Sequence, residues 1–239
     1  MRIIEWELLP PEMKNERVRK YYDVLVKRRM SLLFKRVFDV VVASCMLVIL
    51  SPFFLILAIV IKLDSKGPVF YRQVRITQYN RPFRIFKFRT MIQGADKGSQ
   101  VTLNSDSRVT RIGKWIRKFR LDELCQLIDI VRGTMTFVGT RPEVPKYTEQ
   151  YTDEMLATFL LPAGVTSLAS IYYKDEAKLL DAAKDTDQVY VQEILPAKMH
   201  FNLKALEEFS LWNDVKILFM TVLAVLGKEY KEEHDELHG

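Results

Sequence analysis

Apolar and polar positions alternate differently from one segment of the chain to the next. From Pro11 to Leu33, in PEMKNERVRKYYDVLVKRRMSLL, apolar residues fall at helical intervals among many basic ones. That spacing predicts a basic helix that lies at an interface or packs on the rest of the molecule. From Val40 to Ile61 the alternation stops. VVVASCMLVILSPFFLILAIVI is 22 residues without a charge, broken in character only by Ser44, Ser51 and Pro52. As a helix it would reach ~33 Å, enough to cross a bilayer's hydrocarbon core. Proline inside a helix removes a backbone donor and clashes with the preceding turn, so a break is predicted at Ser51-Pro52. Beyond it, GPVFYRQVR and RPFRIFKFRTM are aromatic and β-branched, with TQYN between them, which predicts a small β-hairpin. GADKGSQVTLNSDSRVTR reads as a polar loop, and IGKWIRKFRLDELCQLIDIVRG as one helix with Gly133 as its C-cap. TMTFVGTRPEVP and PAGVTSLASI read as loops. SLWNDVKILFMTVLAVLG reads as a closing apolar helix too short to span a membrane, and KEYKEEHDELHG as a charged tail.

The fold class this implies is mixed α/β and mainly helical. A re-entrant helix-break-helix membrane hairpin would carry a compact domain containing the β-hairpin. The economical division is residues 1–33 as the N-terminal basic helix, 34–66 as the membrane hairpin, 67–226 as a domain forming one unit with it, and 227–239 as the tail.

Charge sharpens the membrane reading. Lys27, Arg28, Arg29, Lys35 and Arg36 precede the apolar run, and Lys62, Lys66, Arg72 and Arg75 follow it. Positive flanks tend to stay on the cytoplasmic side, and a single span would export one of them. A helix broken at Ser51-Pro52 returns both flanks to one face, so a monotopic hairpin is favoured over a kinked span. The net charge of +6 hides an asymmetry: Asp64 to Arg120 holds 14 Lys/Arg against 3 Asp, and Leu121 to Gly239 holds 11 against 21 acids. A basic block beside an apolar segment suits anionic partners such as lipid headgroups, phosphates or nucleic acid. Cys45 and Cys125 make no disulfide framework, which suits a reducing compartment. The N-terminus is of mixed charge, and no signal peptide is expected.

The candidate chemistry is sparse. His200, His234 and His238 make no metal spacing with cysteine. No glycine-rich phosphate loop or serine elbow is present. In RKFRLDELCQL, Asp122 and Glu123 are adjacent carboxylates preceded by Arg117, Lys118 and Arg120. Leu121, Leu124 and Ile128 would face inward on a helix, leaving the acids at the boundary. The cations would keep the acids ionised and attract a phosphorylated substrate. The pair could also share a hard cation such as Mg²⁺. Alone, such a pair is usually just solvated.

Five stretches in fixed order change that: FKFRTM, DSRVTRIG, LDEL, FVGTRPE and PAGVT, all after a basic-flanked apolar SP segment. Together they resemble the bacterial sugar transferase family, the monotopic polyprenyl-phosphate phosphoglycosyl transferases. The likeness runs from about Lys35 to Thr166 and more weakly through ILPAKM and NDVKILFMTVLAVL. The resemblance implies that Lys35 and Arg36 are the basic pair at the membrane entrance and that Ser51-Pro52 breaks the re-entrant helix. It implies that Asp122 and Glu123 are the catalytic dyad, also holding Mg²⁺, with Lys87, Arg89, Arg117, Arg141 and Pro142 around the substrate. The implied reaction moves a sugar 1-phosphate from a UDP-sugar to undecaprenyl phosphate, through a phosphosugar on the Asp. The implied place is the cytoplasmic face of the bacterial inner membrane, with no nucleic acid partner and homo-oligomerisation left open. Cys125, Thr134 and Thr140 depart from the family's usual Pro, Asp and Pro. The glycines usual after RV and the Gly-Trp usual after PGIT are also absent. These departures bear on donor choice more than on reaction class. The competing readings are a membrane-tethered nucleic-acid binder, with FRIFKFRTM as a stacking strand, and an inactive membrane scaffold.

Overall fold

A computed structural model describes residues 1, 3–95, 107–174, 176, 180 and 185–230. Most of the loop expected over 94–111 and the tail beyond residue 230 lie outside the described residues. The helices are α1 (Glu16–Lys27), α2 (Arg29–Asp64), α3 (Arg111–Lys118), α4 (Leu127–Arg132), α5 (Pro145–Thr148), α6 (Leu168–Tyr172), α7 (Thr186–Val189), α8 (Leu195–Glu207) and α9 (Leu211–Val225). Among the described residues four strands form two small sheets: an antiparallel pair, β1 (Phe70–Thr77) with β2 (Arg81–Phe88), and a parallel pair, β3 (Met135–Val138) with β4 (Ala163–Thr166). The fold is therefore mixed α/β and mostly helical, as expected.

The basic N-terminal helix is shorter than its pattern suggested. Asn15 caps it by accepting from the Val18 amide at 2.9 Å, and it ends at Lys27. Arg29 to Leu33 belong instead to α2. Val18, Tyr21, Tyr22 and Leu25 are buried among Leu9, Met13, Leu32 and Leu160, so α1 packs on the domain.

The 36 residues of α2 run as one helix with Pro52 inside it. The interruption expected at Ser51-Pro52 does not occur, for a visible reason. Pro52 has no N–H to give the carbonyl of Val48, four residues back. The Ser51 hydroxyl donates to that carbonyl instead, at 2.8 Å, so no acceptor is left orphaned.

One stripe of α2 faces the domain along its whole length. Leu32, Lys35, Asp39 and Ala43 are buried, as are Leu57 and Ile61. Between them Met46, Leu47, Leu50 and Phe54 pack on Ile85, Leu127, Ile130 and Met135. Val48, Ile49, Leu55, Ile56, Ile59 and Leu63 are exposed. The most apolar stretch of α2 is only 11% buried.

The expected hairpin forms, with Phe70 opposite Phe88 and Thr77 opposite Arg81. Its turn is Gln78–Asn80, where Tyr79 and Asn80 take positive φ in place of glycines. The Tyr79 ring is buried, and its hydroxyl accepts from the Ile4 amide at 3.1 Å.

Two sequence expectations are corrected here. TMTFVGTRPEVP and PAGVTSLASI are not simply loops: their apolar halves are β3 and β4, paired from Met135–Ala163 to Val138–Thr166. The second correction concerns the helix expected over 112–133. It stops at Lys118, and Arg120 turns left-handed at φ 56. A 3-10 turn then covers Leu121–Gln126 before α4 begins. Gly133 does cap α4, at φ 88.

Candidate active site

The interrupted helix decides which way the two acids point. On a regular helix Leu121, Leu124 and Ile128 would be the inner face. The left-handed Arg120 and the tighter 3-10 pitch rotate that face, so Asp122, Cys125 and Gln126 are the buried residues instead. Asp122 is only 9% exposed.

The cations come from three other elements. Lys87 lies on β2 opposite Tyr71, and Arg141 leaves the end of β3. Arg117 stands in the last turn of α3. Arg141 grips Glu123 through both terminal nitrogens: Nη1 donates to Oε2 at 3.1 Å and Nη2 donates to Oε1. Nη1 also donates to the Val165 carbonyl on β4, at 3.2 Å. The Lys87 ammonium donates to Glu123 Oε1 at 3.3 Å. Both oxygens of Glu123 are therefore engaged. No hydrogen bond or ion pair reaches the Asp122 carboxylate among the described residues.

The two acids are driven apart in acidity. Burial pushes Asp122 above the usual carboxylate range; Lys87 opposes this, and the negative charge of Glu123 adds to it. Glu123 is just as desolvated, but Arg141 and then Lys87 outweigh that cost and hold it well below the usual range. Burial, helped by the like charges of Arg141 and Arg75, pushes Lys87 down, against the pull of Glu123 and Asp122. Glu123 is thus a fixed anion, and Asp122 a desolvated carboxylate with free lone pairs.

Arg141 reaches this site because two glycines touch. The Gly139 amide donates to the Thr166 carbonyl at 3.0 Å, and the Gly164 amide donates to the Thr140 carbonyl at 2.7 Å. A Cβ on Gly164 would lie 2.1 Å from the Gly139 carbonyl oxygen. That approach, between FVGTRPE and PAGVT, sends the chain from β3 directly to Arg141. Pro142 is buried, and its carbonyl accepts from Arg75 Nη1 at 3.0 Å.

A model of the family described as bacterial sugar transferase matches residues 30–228. The chain belongs to that family. Among curated relatives, it is 35% identical over 198 residues to the UDP-glucose:undecaprenyl-phosphate glucose-1-phosphate transferase of Klebsiella pneumoniae, covering 80% of this chain and 40% of that protein. It is 35% identical over 196 residues to the UDP-N-acetylgalactosamine-undecaprenyl-phosphate N-acetylgalactosaminephosphotransferase of Aeromonas hydrophila, covering 80% and 43%. It is 35% identical over 197 residues to the UDP-glucose:undecaprenyl-phosphate glucose-1-phosphate transferase of Caulobacter vibrioides, covering 80% and 69%. The chain thus spans about two-fifths of the first two relatives.

In this bacterial sugar transferase the residues singled out from sequence divide into three groups. Asp122, Glu123, Lys87 and Arg141 come together. Arg117 touches neither acid, yet its charge is felt at Asp122. Arg89, Lys35 and Arg36 go elsewhere. Arg89 is buried, and its Nη2 donates to the Ser65 carbonyl at 2.6 Å and the Ile61 carbonyl at 3.3 Å, closing the C-terminus of α2. Lys35 is 3% exposed and pairs with Asp214 of α9 at 2.6 Å. Arg36 caps α4, donating to the Ile130 carbonyl at 2.6 Å and the Val131 carbonyl at 3.0 Å. The basic pair expected at the membrane entrance thus bolts α2 to the domain.

Sequence reasoning missed Arg75 and Glu143. Arg75 lies 3.9 Å from Glu143, and the Tyr190 hydroxyl donates to Glu143 at 2.6 Å. The available signal was the Glu of the RPE stretch, an acid between two prolines and two residues from Arg141.

Proposed function

We propose that this chain moves a sugar 1-phosphate from a UDP-sugar to undecaprenyl phosphate at the cytoplasmic face of the bacterial inner membrane, initiating glycoconjugate or exopolysaccharide assembly. The observation that carries this reading is the division of labour at the acids: Glu123 is saturated by Arg141 and Lys87, and Asp122 is buried beside it with its lone pairs free. Carboxylates serve as covalent nucleophiles for phosphoryl groups. An Asp122 oxygen attacks the β-phosphorus of the donor, and the bond to the α-phosphate oxygen breaks with its electron pair, releasing UMP. The phosphate oxygen of the lipid acceptor then attacks the same phosphorus, and the Asp122 carboxylate leaves unchanged. Lys87, Arg141 and Arg117 oppose the charge that builds on the phosphoryl oxygens, which is the main task in such transfers.

Mg²⁺ fits the donor set. Asp122 and Glu123 are adjacent carboxylates beside the cations that would hold the donor's phosphates, and this ion keeps its waters and binds substrate phosphate oxygens beside one or two carboxylates. Asp122 is the better ligand, because Arg141 already occupies Glu123. Bound there, the ion would neutralise the diphosphate and ease departure of UMP.

Membrane attachment through α2 is supported by its exposed apolar face and by the family. For topology the useful fact is that both ends of α2 are tied to one domain. Arg36 holds α4 near one end, and Arg89 holds Ser65 at the other. A span with flanks on opposite sides would drag that domain through the bilayer, so insertion that keeps both flanks on one face is the reading favoured. The nucleic-acid alternative loses its platform: Phe88 is buried against Leu57 and Ile61, and Arg72 covers the Phe86 ring at 3.5 Å.

Incubating membranes holding the protein with a panel of UDP-sugars and undecaprenyl phosphate tests the reaction. UMP release that depends on both the protein and one UDP-sugar is expected. No release from any donor would sink the proposal.

A further inference from the structure

ILPAKM matched the family weakly and has no part in the chemistry above. Its lysine, Lys198, is carried by α8 into the interior and is 5% exposed. Its ammonium donates to Glu176 Oε2 at 3.0 Å and to the Tyr190 hydroxyl at 3.1 Å, and it lies 3.6 Å from Glu143. Glu143 follows Arg141 and Pro142, so Lys198 ties Glu176 to the same loop that delivers Arg141.

A second tie runs to the dyad. Arg120, the left-handed residue two positions before Asp122, donates from Nη2 to the Lys174 carbonyl at 3.3 Å. The Lys174 carbonyl, two residues before Glu176, is thereby joined to the residue that precedes the turn carrying the acids. The Glu176 side chain remains 36% exposed. Its charge is felt at Arg141 more strongly than that of Asp122.

A third acid beside this site has a definite chemical meaning. The diphosphate of a donor is drawn to Lys87, Arg117 and Arg141, and a carboxylate repels it. What a half-exposed carboxylate accepts well is the hydroxyl group, in short charge-assisted O–H···O bonds. Of the donor's parts, the glycosyl group offers several hydroxyls on a neutral ring. We propose that Glu176 is a specificity-determining residue that reads hydroxyls of the donor's sugar, and that Lys198 is its positioning residue. This inference rests on the donor reading given above.

The test compares donors that differ in one hydroxyl's configuration, such as UDP-glucose and UDP-galactose, within a wider UDP-sugar panel. Glu176→Gln keeps the shape at a half-exposed position and removes the charge. Its kcat/KM for the preferred donor should fall, mainly through KM, and the ratio between the two donors should shift about tenfold or more, the size of one charged hydrogen bond. Lys198→Met should shift the ratio in the same direction, since it frees the carboxylate to turn away. A ratio unchanged within about twofold in either variant overturns the proposal, because a counter-ion with a purely structural role slows all donors alike. Complete loss with every donor overturns it too. If the native protein itself releases UMP from no member of the panel, the donor reading fails first and takes this inference with it.

Discussion

Arg141 holds Glu123 through two parallel contacts, and the neighbouring Asp122 receives none of that help. Fork-to-fork pairing of guanidinium and carboxylate fixes both position and charge. A carboxylate so held is a weak nucleophile, because attack would break the pair. Asp122→Asn is therefore expected to abolish UMP release with or without lipid acceptor. Glu123→Gln should lose turnover yet still release UMP in a slow, sub-stoichiometric burst, as the first half-reaction proceeds. Rapid quench with labelled UDP-sugar and peptide mass analysis reads the adduct, which belongs on Asp122. An adduct on Glu123 would exchange the roles, and kinetics requiring a ternary complex without any adduct would rule out covalent catalysis.

The two arginines near the dyad should not be equivalent. Arg141→Ala breaks the grip on Glu123, the bond to Val165 and the charge at the phosphates. Arg117→Ala removes charge alone. Losses of at least ~10²-fold are expected for each, with Arg141→Ala the more severe and Arg141→Lys only partly restoring rate, since lysine lacks the paired geometry. Steady-state rates on protein still recovered with the membrane fraction measure this. Near-native rates in both variants would assign these side chains to packing.

Gly164 leaves no room for a side chain. The nearest atoms to an added Cβ all belong to the Gly139 backbone, which cannot swing aside as a side-chain tip would. Gly164→Ala is expected to cost about 3 kcal/mol in stability and, in whatever fraction folds, to displace Arg141 and lower kcat. Thermal unfolding in detergent beside UMP release gives both numbers. A variant with native stability and rate would mean that the strands separate freely.

Ser51 and Pro52 act as a pair. Pro52 orphans the Val48 carbonyl, and the Ser51 hydroxyl satisfies it. Replacing Ser51 by Ala and Pro52 by Leu together restores an ordinary backbone bond and removes a penalty of about 3 kcal/mol. The helix, freed of its proline, should then favour crossing the bilayer outright. Reporter tags at both ends of the chain read the outcome: both cytoplasmic in the native protein, one exported in the double variant. A native chain with its N-terminus exported would refute the re-entrant reading.

Short-range patterns were legible from the sequence. The uncharged run from Val40 to Ile61, the hairpin around Gln78–Asn80 and the Gly133 cap each depend on residues a few positions apart, and local stereochemistry enforces them. The LDEL acids, Lys87 and Arg141 were also found, because five ordered stretches carry a family's signature. Tertiary structure decided the rest. Nothing local shows that Phe119-Arg120 must break a helix; the turn is made where α3 and β2 pack on it, and that packing aims Asp122 inward. β3 and β4 are four residues each, too short to announce themselves, and they exist because Gly139 and Gly164, far apart in the chain, can touch. Lys35 and Arg36 looked available to the membrane entrance, and Arg89 to the substrate, because charge is visible in a sequence and its partner is not. Folding gave each a fixed acceptor: Asp214, the end of α4 and the end of α2. Identity and charge are properties of a residue, whereas engagement is a property of a pair, and only the folded chain assigns the pairs.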